Sequence, residues 1–428
     1  MKRKLGFWET ICEIAHDDFN GTGMVLQIAR LRGPLTEGML REALTALRRR
    51  HAILRARIRV LDGVSHLQVE DDPGPVALRV LARTHEEQWK TVAEDEMGKK
   101  FTPEDGPPWR LVFIHDPGGD RSELVMVFHH VISDGMSTMR FTSDLLAACG
   151  RLAEGGAADA GPALPLLPSV EEMLRKAPSW LGYLGREAYK TIFGAKPTPV
   201  PFEGYAPLAS RKTRNIYRVM GESDLGRLVE RCQRETTTLS GALNAALIQA
   251  GTRVRGVPLP ATISCNSAIS LRKLCAPEVG PEHFGCFVTV LPTQHVLTSE
   301  TAFWDLSRAC KRALDAQIDK HAFQPKSFSK SFLVKGAGSL LRSADERREH
   351  IMGYGVSNLG RLDLPERYGP LCVEEMYFGT ARHAGDYVLS LSVVTLFGRM
   401  FCAFAWEEPL MSERTAEAVV DAFMRALE

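Results

Sequence analysis

Two proline- and glycine-rich stretches, Glu154 to Pro168 (EGGAADAGPALPLLP) and Gly194 to Pro207 (GAKPTPVPFEGYAP), constrain the folding of this chain more than any other feature. Proline fixes φ and lacks the amide donor, so neither stretch can hold a helix or an inner strand. They divide 428 residues into an N-terminal half (1–153), a bridging region (154–207) and a C-terminal half (208–428). That length is too great for one ordinary core. Between the two stretches, 169–193 reads as a helical insert carrying Trp180, Tyr183 and Tyr189.

Both halves mix the two hydrophobic periods. Leu40, Ala43, Leu44 and Leu47 stand at helical spacing behind Thr36, a plausible N-cap. Alternation of apolar residues with arginine predicts a strand over 53–60, and further strands are expected at 66–70, 109–115 and 122–128. Helices are expected at 85–99 and 136–149. In the C-terminal half, helices are expected near 223–235, 240–253 (capped by Thr238 or Ser240), 299–320 and 411–427 (capped by Ser412). Strands are expected there at 261–267, 285–291, 351–357, 371–378, 386–396 and 399–406. Several strands per half, with helices to cover a face, predict two α/β layered sandwiches rather than a doubly wound sheet. No glycine-rich strand-to-helix turn of the phosphate-binding kind occurs.

Composition excludes some functions. Lys and Arg total 53 against 52 Asp and Glu, so the net charge of +1 leaves no global footprint for nucleic acid. No window approaches the ~18 unbroken apolar residues of a membrane span. Glu9, Glu13, Asp17 and Asp18 interrupt any apolar signal core near the start. Nine cysteines without a Cys-x-x-Cys pair argue against a disulfide framework or zinc ribbon, and a reduced cytoplasm is the expected compartment.

Chemistry concentrates at one place. The apolar run Glu123 to Phe128 reads as a buried strand and empties into His129-His130-Val131-Ile132-Ser133-Asp134-Gly135. A loop at the end of a rigid strand is where catalytic groups tend to sit. Gly135 would let the backbone turn sharply. A neutral imidazole is a competent base near pH 7. Asp134 can bond a ring nitrogen directly or pin the loop through an arginine. No Gly-x-Ser-x-Gly elbow is present and no cysteine stands beside the histidines in sequence, which points to direct transfer rather than a covalent intermediate. Two other readings stay open. The histidines could be a hydrogen-bonded structural pair, or His129, His130 and Asp134 could bind a metal, although adjacent strand side chains point to opposite faces.

HHVISDG resembles the HHxxxDG signature of the condensation-domain and chloramphenicol-acetyltransferase-like superfamily. Other segments resemble the family in the right order: Arg50-His51-Ala52-Ile53-Leu54-Arg55, Thr238 to Leu243, Ser270-Leu271-Arg272, Phe284-Gly285-Cys286-Phe287-Val288 with Leu291-Pro292, and Ser357-Asn358-Leu359-Gly360. The resemblance spans about 35 to 405. It implies two acetyltransferase-like subdomains in a V-shaped pseudo-dimer with a central tunnel. It implies His130 as general base and Asp134 as a loop-structuring residue paired with an arginine, Arg272 before Arg140. His129, Gly135, Ser357 and Asn358 become supporting residues; a plain turn is the alternative for the last two. Thr289 stands where condensation domains often have Asn.

The implied function is a stand-alone acyltransferase. It would move an acyl group from acyl-CoA or an acyl carrier protein to a hydroxyl, less readily an amine, of a lipid, polyketide or other secondary metabolite. The thioester is a co-substrate, and neither a bound cofactor nor a metal is expected. The alternatives are an amide-forming condensation enzyme acting on carrier-bound substrates, a non-catalytic homologue that binds a carrier protein, and a metal hydrolase. A monomer suffices. The amphipathic segments 169–193 and 323–341 could make peripheral membrane contact or cover an apolar acceptor channel; plain packing on the protein is the alternative.

Overall fold

The run ending at Phe128 forms the strand Arg121–Phe128, buried on both faces. It lies between Val25–Arg32 and Trp109–His115, antiparallel to both. The full sheet has six strands in the order Arg367–Tyr368, Leu371–Thr380, Val25–Arg32, Arg121–Phe128, Trp109–His115, Leu78–Ala82. Only the last pair is parallel among the strand pairs of this sheet. Helices reach both faces, which explains the double burial. Gln27 accepts from Thr138 Oγ1 of the helix Gly135–Ala153, at 3.2 Å. One face along, Arg30 stands over Trp89 of the helix Gln88–Met97, and that ring stacks on Tyr377. The helix Gly135–Ala153 approaches closely because position 150 is glycine: the Tyr368 carbonyl fills the space a Cβ would need. A separate three-stranded sheet, Lys2–Lys4, Val64–Val69 and Ala56–Leu61, is antiparallel throughout.

The computed structural model describes all residues except 73, 177, 186–195, 320–324 and 326–329. The chain divides into two units. One comprises Met1–Leu174, Leu271–Phe287 and Arg361–Ala381; the other comprises Arg175–Ser270, Val288–Gly360 and Arg382–Glu428. This differs from the contiguous division at 153 and 207 expected from the proline-rich stretches. The reason is strand pairing: Leu371–Thr380 completes the first sheet against Val25–Arg32. Proline marks where regular structure stops, not which sheet a later strand joins.

The second unit holds a six-stranded sheet in the order Val288–Leu297, Ala261–Ser270, Gly353–Arg361, Tyr387–Leu396, Arg399–Glu408, Lys212–Met220. All ten residues of Tyr387–Leu396 are buried. The helix Leu239–Val254 packs against Phe303–Asp319 and Glu413–Leu427, and Phe423 meets Phe404 edge to face. Thr238 and Ser412 cap their helices as expected, each accepting a backbone N–H three residues on.

Three local expectations need correction. Residues 52–55 form a 3₁₀ turn before the strand Ala56–Leu61, because the Leu54 carbonyl turns to accept from Trp109 Nε1. The strand expected from 285 begins at Val288; the groups of 285–287 bond elsewhere, as described below. The insert begins with the four-residue helix Val170–Met173, Leu174 then bridges to Cys275 in extended form, and residues 180–185, with Trp180 and Tyr183, are helical as expected. Its stretch 186–193, with Tyr189, lies outside the described residues, as do 323–324 and 326–329 of the second amphipathic segment. Among the described residues no helix is long and apolar enough to cross a membrane.

The short helix also buries an acid. Glu171 Oε1 accepts from the Trp8 N–H at 2.8 Å, while Oε2 has no hydrogen-bond partner among the described residues. Burial pushes its pKa up to about 7, against the pull of the Trp8 N–H and Arg3. Unfolded, the group ionises near 4.5, so the folded state retains a proton between the two values. Stability is therefore lost as pH rises from about 4.5 to 7, by roughly 3 kcal/mol. Glu171→Gln keeps an acceptor for Trp8 and does not ionise. Its stability relative to wild type should rise over that pH window and level off above it, measured by urea unfolding at a series of pH values. A difference that does not vary with pH would contradict this account.

Candidate active site

After Phe128 the chain leaves the sheet, and the loop 129–134 closes on itself. The Ile132 N–H donates to the His129 carbonyl at 3.0 Å, and Ser133 Oγ donates to the same oxygen at 3.3 Å. The His129 N–H is held by the Pro108 carbonyl. The helix Gly135–Ala153 then starts with Asp134 as its N-cap. Gly135 is the first residue of that helix and is not among the positive-φ glycines, so the sharp turn expected of it is not what it supplies.

The two histidines differ in kind. His129 is buried, and its Nδ1 accepts from the Val131 N–H at 3.1 Å, which puts the ring proton on Nε2. Burial, with His16 and His130 nearby, pushes its pKa well below the ordinary value, so it stays neutral. Its ring lies 4.3 Å from that of His16. His130 is only half-buried. Its Nδ1 lies 2.7 Å from the Ser133 carbonyl, an acceptor only, so Nδ1 carries the proton and Nε2 keeps its lone pair. Burial alone would lower the His130 pKa. Hydrogen bonding and charge from Cys286, the Ser133 carbonyl and the Asp134 charge outweigh it and raise the pKa.

Asp134 does not bond the imidazole. Oδ1 accepts from the Ser137 N–H at 2.7 Å and Oδ2 from the Phe287 N–H at 2.9 Å. Arg272 stands 3.5 Å from Oδ1, its guanidinium over the Phe287 ring. That guanidinium also donates to the Gly280 and His283 carbonyls and to Ser137 Oγ. Ser137 Oγ in turn donates to the Gly285 carbonyl and accepts from the Gly285 N–H. Arg140 pairs with Asp144 instead. The segment Leu271–Phe287 is thus fastened to the start of the histidine-loop helix, which is why Gly285 and Phe287 are not in the ladder.

Ser357 and Asn358 belong to the second unit. They lie inside the strand Gly353–Arg361 rather than in a turn, and Asn358 donates to Ser240 Oγ there. Thr289 is buried and faces Ile269 in that unit's sheet.

Two features escaped the sequence. One is Ser137, which links Asp134, Arg272 and Gly285. The other is Cys286, whose Sγ lies 3.7 Å from His130 Nδ1. The expectation that no cysteine stands beside the histidines holds along the chain and fails in space. No spacing rule connects positions 156 residues apart. Among the described residues no group of three or more His, Cys, Asp and Glu could hold a metal ion, so the metal reading gains no support.

The fold and the loop define a class: mixed α/β units with a paired-histidine loop at the end of an inner strand. The trichothecene 15-O-acetyltransferase from Fusarium sporotrichioides has this fold, with a TM-score of 0.77 and 12% identity over 100% of this chain and 94% of that one. So does the first condensation domain of the calcium-dependent antibiotic synthetase (TM-score 0.71, 14% identity, 100% and 96% covered). Residues 22–178 match the family model of the Condensation domain. The chain is thus similar over part of its sequence to condensation domains and to an alcohol acetyltransferase, and it shares its fold with condensation domains and acetyltransferases. A nonribosomal peptide synthetase of Curvularia clavata is 34% identical over 122 residues, 28% of this chain and 1% of the synthetase. The chain thus spans a very small part of that relative. A probable alcohol acetyltransferase of Fusarium pseudograminearum is 23% identical over 350 residues, 74% of this chain and 70% of that protein.

Both Asp134 oxygens accept a backbone N–H, so the side chain should matter to folding before chemistry. Asp134→Ala removes an N-cap, orphans the buried Phe287 N–H and leaves Arg272 without its acid. A loss of about 3 kcal/mol is expected. Asp134→Asn keeps one acceptor oxygen and should lose less. Thermal and urea unfolding check both; an alanine variant that melts with wild type would remove the structural role.

Proposed function

We propose that this chain is an acyltransferase in which His130 acts as general base. The acyl group passes directly from a thioester to a nucleophilic small molecule. One observation carries the reading: a half-buried imidazole at a strand end whose Nδ1 proton is fixed on a carbonyl, leaving the Nε2 lone pair free. In the step we envisage, Nε2 takes the proton of the acceptor hydroxyl as its oxygen attacks the thioester carbonyl. The tetrahedral species collapses, the C–S bond breaks, and Nε2–H returns the proton to the departing thiolate. Ester and free thiol result. Asp134 and Arg272 touch no reacting atom in this scheme; they hold the loop.

The thioester is a co-substrate, carried by CoA or by the phosphopantetheine of an acyl carrier protein, and the chemistry needs no resident cofactor. A hydroxyl acceptor of secondary-metabolite or lipid type is favoured by the likeness to an alcohol acetyltransferase over 70% of that protein's length. The second reading, amide condensation on carrier-bound substrates, is supported by the Condensation match at 22–178 and by the synthetase relatives. A homologue that binds a carrier without catalysis is the third.

The discriminating experiment incubates acyl-CoA and acyl-carrier thioesters with panels of alcohols and amines, following thiol release and product mass. His130→Ala should lose roughly 10²- to 10⁴-fold in rate. Unchanged turnover in that variant would end the proposal. The neutral ring is the active form and its pKa is raised. Wild-type kcat/KM should therefore fall as pH drops through a value above the ordinary 6.5 of histidine. Intact-protein mass spectra during turnover should show no acyl adduct; one on Cys286 would replace direct transfer with a covalent route.

A further inference from the structure

The geometry points to Cys286 as a positioning residue for the His130 imidazole: its sulfur shares the Nδ1 proton with the Ser133 carbonyl and so helps to set both the orientation of the ring and the basicity of Nε2. This inference rests on the reading of His130 as the base.

Three observations lead there. First, the sulfur is placed, not free to wander. Its neighbours on either side are fixed: Gly285 by both of its bonds to Ser137 Oγ, Phe287 by its N–H to Asp134 and its carbonyl to the Leu271 N–H. The thiol itself is buried. Second, the contact is to the proton-bearing nitrogen. Nδ1 reaches the Ser133 oxygen at 2.7 Å and Sγ at 3.7 Å, a three-centre arrangement with a strong and a weak acceptor. Third, the arrangement leaves Cys286 no part as a nucleophile. The nitrogen it faces has no lone pair to take a thiol proton. Hydrogen bonding with Cys12 of the helix Phe7–Asp18, together with burial, pushes the thiol's pKa well above the ordinary value. A buried thiol in that state is a weak nucleophile.

Cys286 approaches from the segment Leu271–Phe287, with Cys12 behind it. Asp134 contributes its charge from the helix start and is itself faced by Arg272. His129 adjoins along the loop and stays neutral, with His16 behind it. Of these, Cys286 is the side chain whose acceptor meets a ring nitrogen. Removing it should therefore weaken the hold on the imidazolium and make His130 a weaker base.

The test follows the His130 ring directly by NMR, in the full-length protein labelled with ¹³C and ¹⁵N, over a pH titration. The ring is assigned by loss of its signals in His130→Gln. In Cys286→Ala the His130 midpoint should move to lower pH. Cys286→Ser, which restores an acceptor, should bring it back toward wild type. Cys286→Val, which keeps bulk without an acceptor, should behave like alanine and serves if the alanine variant does not fold. The acid limb of kcat/KM should move in the same direction. A midpoint unchanged in the folded alanine or valine variant, even with reduced turnover, would overturn the inference and leave Cys286 as packing. The titration needs no turnover. An inactive wild type would therefore count against the transfer reading, whereas a static midpoint beside an inactive His130→Ala would count against the role of Cys286 alone.

Discussion

A carboxylate with only acceptor capacity governs this site. Asp134 meets two backbone donors, one at the start of the helix it caps and one at Phe287, and both of its oxygens are in use. Phe287 lies 153 residues from Asp134 in sequence. The carboxylate therefore ties a local event, helix initiation, to a tertiary one, the placing of Leu271–Phe287. Arg272 works from the other end, bonding carbonyls of its own segment and the hydroxyl of Ser137. Because both charges are buried, neither is well placed without the other.

That fastening lets two adjacent histidines take opposite roles. His129 gives its Nδ1 lone pair to a backbone donor and is enclosed; His130 gives its Nδ1 proton to a backbone acceptor and remains partly open. The tautomers follow from what the loop backbone presents to each ring. Paired sequence letters thus conceal one ring that supports the loop and one with a nitrogen available for chemistry. Alternation along the chain separates their directions, and the closed turn 129–134 separates their bonding.

Much of this could be read from the residues. The run Leu124 to Phe128 announced its strand through unbroken apolar character, and Thr238 and Ser412 marked helix starts because their hydroxyls stand three residues before an unpaired amide. Arg272 could be suggested as the neighbour of Asp134 from a short resemblance alone. Other features were hidden for definite reasons. The strand at 288 starts later than its apolar pattern because the preceding amide and carbonyl groups bond to Asp134 and Ser137, and hydropathy does not register such competition. For residues 357 and 358 a plain turn is the alternative to a supporting role, yet Gly353–Arg361 stays extended beside a parallel partner strand. Cys286 carries no local sign at all, since its meaning comes from a neighbour reached only through the fold.

The interleaving of the two units has a consequence for how the protein is made. The first unit's sheet takes in Leu371–Thr380, which pairs with a strand beginning at Val25, so a nascent chain holds that strand's edge open through most of translation. The same holds for the segment that fastens the histidine loop, synthesised more than a hundred residues after it. Such late, long-range closure slows assembly and leaves an unpaired edge exposed to other chains. For the same reason, exchanging halves between relatives at the proline-rich stretches would split a sheet, whereas a transplant of the histidine loop must bring Leu271–Phe287 with it.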